Sequence, residues 1–162
     1  GNALGLGAFY TSGPLLLTAH YQSVKNTATP VVETKETGIG GGYTIGPVRL
    51  RAGWGKADPE GNANNLSQVH LGAGYTVGAG EFYVQGQQIK REAATGTEPK
   101  ATVWGLGYVH SLSKRTTLYA AYGQTRNNAT GNFVLANSAN TYAPTAAGES
   151  PKGLALGIRH QF

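Results

Sequence analysis

Four histidines, eight carboxylates and scattered serines are the groups in this chain that could do acid–base or nucleophilic chemistry. Hydrolysis would need an acid, a histidine and a serine converging on one point. Ser67 and His70 are close in sequence, but three residues apart on an extended strand they face opposite sides. His20, His70, His110 and His160 are far too widely spaced for a His-x-x-x-His zinc motif. The lack of cysteine removes thiolate ligands, disulfides and thiol nucleophiles together. Gly38-Ile39-Gly40-Gly41-Gly42-Tyr43 has the glycine content of a phosphate loop without its Lys-Ser/Thr ending or a helix to open. It reads better as the small-residue face of a strand, leaving room for a close backbone, a large aromatic neighbour or a packing subunit. A formal charge of +5 favours anionic partners. No cluster of Lys and Arg interleaved with aromatics marks a nucleic-acid surface. These groups imply no catalytic residue, no metal, no cofactor and no nucleic-acid partner.

The elements that position these groups are strands. With 25 glycines the chain is poorly suited to helices, and no run of eighteen apolar residues could form a transmembrane helix. In Leu15–Gln22, Leu15, Leu17, Ala19 and Tyr21 share one face while Leu16, Thr18, His20 and Gln22 share the other. Val48, Leu50, Ala52 and Trp54 oppose Arg49, Arg51, Gly53 and Gly55, and Val69, Leu71, Ala73 and Tyr75 oppose His70, Gly72, Gly74 and Thr76. Nine such segments are expected at 1–11, 15–25, 36–45, 48–56, 66–77, 81–91, 100–110, 117–126 and 152–162. Most have the nine to eleven residues of a tilted membrane-crossing strand. The slightly polar mean hydropathy is no objection, because alternation averages a greasy face with a polar one.

Connections alternate in length. Those at 12–14, 45–47, 78–80 and 111–116 are tight, whereas 26–35, 57–65, 92–99 and 127–151 are longer and polar, the last reading as a loop outside the cell. Short turns at one end and long loops at the other are the pattern of an outer-membrane β-barrel, with the short turns periplasmic. Tyr10, Tyr43, Tyr75 and Tyr108 recur at intervals of 33, 32 and 33 just before short turns, as one membrane girdle. Tyr21, Trp54 and Tyr122 form the second girdle, which the strand at 81–91 interrupts with Gln88. A soluble β-sandwich or a solenoid would also alternate. The aromatic rows, and charges confined to strand ends on the apolar parity such as Lys25 and Lys56, weigh against both.

Tyr108-Val109-His110-Ser111-Leu112-Ser113-Lys114-Arg115-Thr116-Thr117-Leu118-Tyr119 resembles the penultimate hairpin of general porins from β-proteobacteria. The ending Gly157-Ile158-Arg159-His160-Gln161-Phe162 resembles the C-terminal signature of outer-membrane barrels. The resemblance spans the whole chain in outline and is close over 103–126 and 152–162. It implies an all-β fold, an antiparallel transmembrane β-barrel of which nine strands are present as the C-terminal part of a 16-stranded porin. Residues 1–162 would be a single barrel domain without the N-terminal strands, the constriction loop and the signal peptide. It further implies a homotrimer in the bacterial outer membrane, contacts with outer-membrane lipid including lipopolysaccharide, and recognition of Phe162 by the barrel-assembly machinery.

On that reading the chain helps form a water-filled channel for passive diffusion of small anionic or neutral solutes, with no chemical step. Arg49, Arg51, Arg159, His20, His70 and Tyr119 fall on the pore-lining parity. The eight acids fall in loops or at strand ends, so unpaired arginines would make the wall electropositive and anion-preferring, helped by Arg91 or Arg126 near the outer mouth. The arginines could instead pair with acids on the absent third loop or brace the wall. An outer-membrane enzyme or adhesin on the same scaffold is the competing function.

Overall fold

The computed structural model describes residues 1–27, 32–60, 64–136 and 141–162. Parts of the three connections expected at 26–35, 57–65 and 127–151 therefore lie outside the described residues. Nine strands build one antiparallel sheet: β1 (Asn2–Ser12), β2 (Leu15–Lys25), β3 (Glu33–Ile45), β4 (Val48–Pro59), β5 (Leu66–Val77), β6 (Gly80–Arg91), β7 (Lys100–Ser111), β8 (Thr116–Asn127) and β11 (Lys152–His160). Their spatial order is their sequence order, and β1 and β11 stand at the two edges. A separate two-stranded ribbon, β9 (Leu135–Ala136) with β10 (Thr141–Tyr142), lies within the last long connection.

The expected segments all appear, those at 15–25 and 66–77 with the same ends and the others with shifted ones. The third begins at Glu33, because Thr34-Lys35-Glu36 continues the ladder without an apolar alternation to announce it. The fourth runs on to Pro59, and the last stops at His160. The ribbon had no counterpart in the sequence reading, since two residues are too few to show a period.

Glycine and proline chemistry sets the hairpins. Gly13-Pro14, Gly46-Pro47 and Gly78-Ala79 each join two strands, and the three glycines have φ of 53°, 55° and 55°. Positive φ at the first corner followed by a proline locked at negative φ gives the type II′ geometry, whose twist suits a tight hairpin. Each turn is also stitched to the next strand along: Pro14 O accepts Thr44 N (3.1 Å), Pro47 O accepts Thr76 N (2.9 Å) and Ala79 O accepts Ser111 N (2.9 Å). With register fixed at the turns, every directly opposed pair shares a face.

The two faces differ completely. Tyr10 opposes Leu17, Leu15 opposes Tyr43, Tyr43 opposes Leu50, and Tyr75 opposes Phe82, all on the first face. Leu6, Leu71 and Leu156 on this face are 68%, 64% and 69% exposed. Among the described residues Ala101 and Phe133 are the only buried hydrophobics, so the sheet has no core on either side. A soluble sandwich would have buried the apolar face against a second sheet.

Replacing Gly46 with valine should lower the stability of the folded barrel by about 1–3 kcal/mol, because a β-branched residue is strained at this φ. The denaturant midpoint read by loss of β-sheet circular dichroism measures it. An unchanged midpoint would mean that the turn tolerates another geometry.

Candidate functional site

The polar face of the sheet is the candidate site. The cross-strand pairs place His20 opposite Gly38, His70 opposite Gly53, Tyr83 opposite Gly107 and Tyr119 opposite Gly157. In all four the ring lies over its glycine, in the space a β-carbon would take. The missing β-carbon lets the ring lie down on the neighbouring strand rather than stand out from the wall. Of the readings left open for the glycine run at 38–43, the large aromatic neighbour holds at Gly38, which takes the His20 imidazole. Tyr83 was not singled out from the sequence; the signal was its register opposite a glycine, which alternation alone does not supply.

Arg49 and Arg51 project from adjacent same-face positions of β4, and Arg159 from β11. Arg49 reaches diagonally past Gly74 and forms an ion pair and hydrogen bond with the Glu81 carboxylate. The expectation of an unpaired Arg49 is therefore corrected. Glu81 is second in its strand but shares the polar parity, close enough for a guanidinium to span one intervening strand. Among the described residues Arg51 and Arg159 take part in no ion pair. Gln85 and Gln87 of β6 line the same cleft of about 580 Å³ with Arg49, Arg51, His70 and Tyr83. Gln87 donates an amide hydrogen bond to Gln68 on the adjacent strand (2.6 Å).

The connection 127–151, expected as a loop outside the cell, packs in part against the sheet. Its β9–β10 ribbon folds back over the polar face. A β-carbon on Gly123 would stand 3.3 Å from Leu135 Cδ1, and one on Gly153 3.2 Å from Tyr142 Cε2, and these two glycines are opposed in the sheet. Thr125, fully buried, donates its hydroxyl to Val134 O at 3.2 Å. Phe133 packs under the Arg91 guanidinium, 5.3 Å from its ring centre. Asn127 brackets the segment: Nδ2 donates to Phe133 O (2.9 Å) and Glu149 O (2.7 Å), and Oδ1 accepts from Phe133 N (3.0 Å). The ribbon and the wall enclose a cleft of about 340 Å³ that Tyr83, Gln85, Gln87, Leu135 and Tyr142 help line. Phe133, Val134, Leu135 and Tyr142 were apolar residues in a polar loop, and that was the available signal.

On the apolar face the tyrosines have ring partners that the sequence reading did not name. Phe82 lies between the rows of Tyr75 and Tyr108, its ring centre 4.4 Å from that of Tyr108. Trp104 adds a ring 5.4 Å from Tyr122 at the far end. His110 Nδ1 is 2.9 Å from the Tyr108 hydroxyl, and His160 Nδ1 is 2.9 Å from the Thr116 hydroxyl. His20 and His70 are thus on one face and His110 and His160 on the other, and Ser67 opposes His70 across the sheet. No acid, histidine and serine converge among these residues. Phe162 lies beyond the end of β11, fully exposed, edge-on to His160 at 4.9 Å.

In the same connection, Glu149 accepts the Thr145 N–H (2.6 Å), the Thr145 hydroxyl (2.9 Å) and the Ala146 N–H (3.3 Å). These bonds, the Thr145 backbone first, hold its pKa below the usual carboxylate range.

A model of the family described as Gram-negative porin matches residues 1–130. The chain is 30% identical over 168 residues to outer membrane porin protein 32 of Delftia acidovorans, across 100% of this chain and 47% of that protein. It superposes on the anion-selective porin from Comamonas acidovorans with a TM-score of 0.85 at 30% identity, covering 99% of this chain and 49% of that one. OmpT of Vibrio cholerae, folded in vitro and in a trimer form, shares the fold alone, with a TM-score of 0.73 at 20% identity over 96% of this chain and 54% of that one. The chain spans about half the length of these relatives.

Replacing Asn127 with alanine should strip three loop bonds and loosen residues 128–136, raising their amide exchange by about tenfold or more. Glu149, whose folded pKa is lowered, contributes to loop order above the ordinary carboxylate pKa and loses that contribution as pH falls through the folded value. Protection of the Thr145 and Ala146 amides, corrected for intrinsic exchange, should therefore fall on acidification and be low at every pH in Glu149→Gln. Full protection in that variant would show the carboxylate to be a bystander.

Proposed function

The chain belongs to the Gram-negative porin family, and from that premise we propose that it forms part of the wall of a water-filled outer-membrane channel for passive diffusion of small hydrophilic solutes and ions. The observation that carries the reading is the division of one sheet into a continuous exposed apolar face and a polar face bearing Arg51, Arg159 and flat-lying rings. Lipid would cover the first and water the second. No substrate chemistry is involved, and the protein acts as a conduit rather than an enzyme.

In this reading Arg49, Arg51, Arg159, His20, His70 and Tyr119 line the pore. Tyr10, Tyr43, Tyr75 and Tyr108 sit at the periplasmic membrane boundary, and Tyr21, Trp54 and Tyr122 at the outer one, now with Phe82 and Trp104. The exposed, strand-free Phe162 is the element offered to the assembly machinery. The unpaired edges of β1 and β11 take further strands, as hydrocarbon requires, in the 16-stranded trimeric barrel that the family resemblance implies.

The channel is anion-preferring. The unpaired Arg51 and Arg159 support this, as does the printed description of the Comamonas relative as anion-selective. The ion pair of Arg49 with Glu81 gives a test of sign. Arg51→Gln should lower the anion-over-cation permeability ratio of the complete barrel in a planar bilayer, on the order of twofold. Glu81→Gln should raise it by freeing Arg49. A barrel that conducts nothing would sink the channel reading, and cation preference at neutral pH would sink only the selectivity.

A further inference from the structure

Midway along the strands the polar face is almost bare. One cross-strand row runs Arg51, Gly72, Gln85, Gly105, Gly123 and Gly153 from β4 to β11, so Arg51 and Gln85 are the only side chains at that level. The two lean apart. Arg51 turns toward β3, its Nη1 3.3 Å from where a β-carbon of Gly42 would stand, whereas Gln85 lies toward β7, with Cγ and Nε2 each 3.9 Å from that position at Gly105. Tyr83, the same-face neighbour of Gln85, leans the same way, its hydroxyl end over Gly107. The glycines of β7 thus let a phenol and an amide reach past their own strand.

What they reach is the cleft of about 340 Å³ beneath the β9–β10 ribbon. On its far side Leu135 stands on Gly123, and Tyr142 meets Gly153 by its Cδ2–Cε2 edge while staying 38% exposed. Val103, Ala121 and Ala155 give it an apolar floor. In a wall marked by arginines, none of the described residues lining this cleft is charged. Its polar side chains are two glutamines and the tyrosines. Gln87 is already tied to Gln68 at 2.6 Å, whereas Gln85 is exposed and enters no side-chain hydrogen bond among the described residues.

We propose that this cleft is a binding subsite for a neutral polyhydroxylated solute, a single sugar ring, on its way through the channel. The Gln85 amide, which both donates and accepts, and the Tyr83 hydroxyl bind the ring hydroxyls. Leu135 and Tyr142 cover an apolar C–H face of the sugar. The lining selects this class. An anion would find no opposite charge, and a wholly apolar solute would leave the amide and the phenol without partners. A sugar satisfies both kinds of surface, and the volume lies at the small end of the range of about 300–1,000 Å³ for ligand sites. The inference rests on the channel reading and adds to it a solute class that the arginines do not serve.

The test is the ion conductance of the complete barrel in a planar bilayer, titrated with glucose and, at matching concentrations, with glycerol, which has hydroxyls but no ring face. Glucose should reduce the current along a saturating curve whose midpoint is the same at low and high salt, since no charge takes part. Glycerol should lower it only in proportion to concentration. Gln85→Ala and Tyr142→Ala should each raise the glucose midpoint by about fivefold, while Arg51→Gln should leave that midpoint where it is. A linear response to glucose, a midpoint that moves with salt, or undiminished block in either alanine variant would each overturn the proposal. The comparison of glucose with glycerol uses the unaltered protein and decides even if a variant fails to fold. A parent that conducts nothing would overturn the channel reading and this inference with it, whereas a conducting parent without saturable block would overturn the inference alone.

Discussion

A backbone amide or carbonyl facing hydrocarbon must already hold its partner, since leaving it bare costs several kcal/mol. Everything else about this chain is subordinate to that requirement. It dictates an uninterrupted ladder from β1 to β11, hairpins tight enough to hold register, and turn carbonyls tied to the next strand along. It also dispenses with a hydrophobic core. Lipid replaces the second apolar layer that a soluble sheet needs, so Leu6, Leu71 and Leu156 stay exposed in the isolated chain without contradiction.

In the proposed channel the other face has the opposite problem: bulky side chains would fill the passage. Here glycine solves it. His20, His70, Tyr83 and Tyr119 each lie on a glycine of the adjacent strand, so ring and backbone share one thickness of wall. Where the chain does intrude, it does so through an anchored segment. Leu135 and Tyr142 settle on Gly123 and Gly153, and the Asn127 bracket holds them there, so the inner ribbon is as much part of the wall as the strands beneath it.

Charge follows the same division. On the polar face, Arg51 takes part in no ion pair among the described residues, while Arg49 is drawn into a pair with Glu81. On the lipid face, charge is tolerated only at the long-loop end, where long Lys and Arg side chains extend to the head groups. Among the strand positions of that face, none at the short-turn end is charged.

Strand positions, facing parity and the alternation of short turns with long connections were legible in the sequence, because alternation at period two and glycine-proline turns are local properties written in neighbouring residues. Lys35, Asp58 and the two-residue ribbon escaped only as ends and short pieces. Relations between residues distant in the chain had to come from the tertiary structure. The pairing of Arg49 with Glu81, the seating of Phe133 and Leu135 on the polar face, and the gathering of Tyr83, Gln85 and Tyr142 all depend on which positions the register brings side by side. Parity assigns a side chain to a face; only the completed ladder assigns it a neighbour.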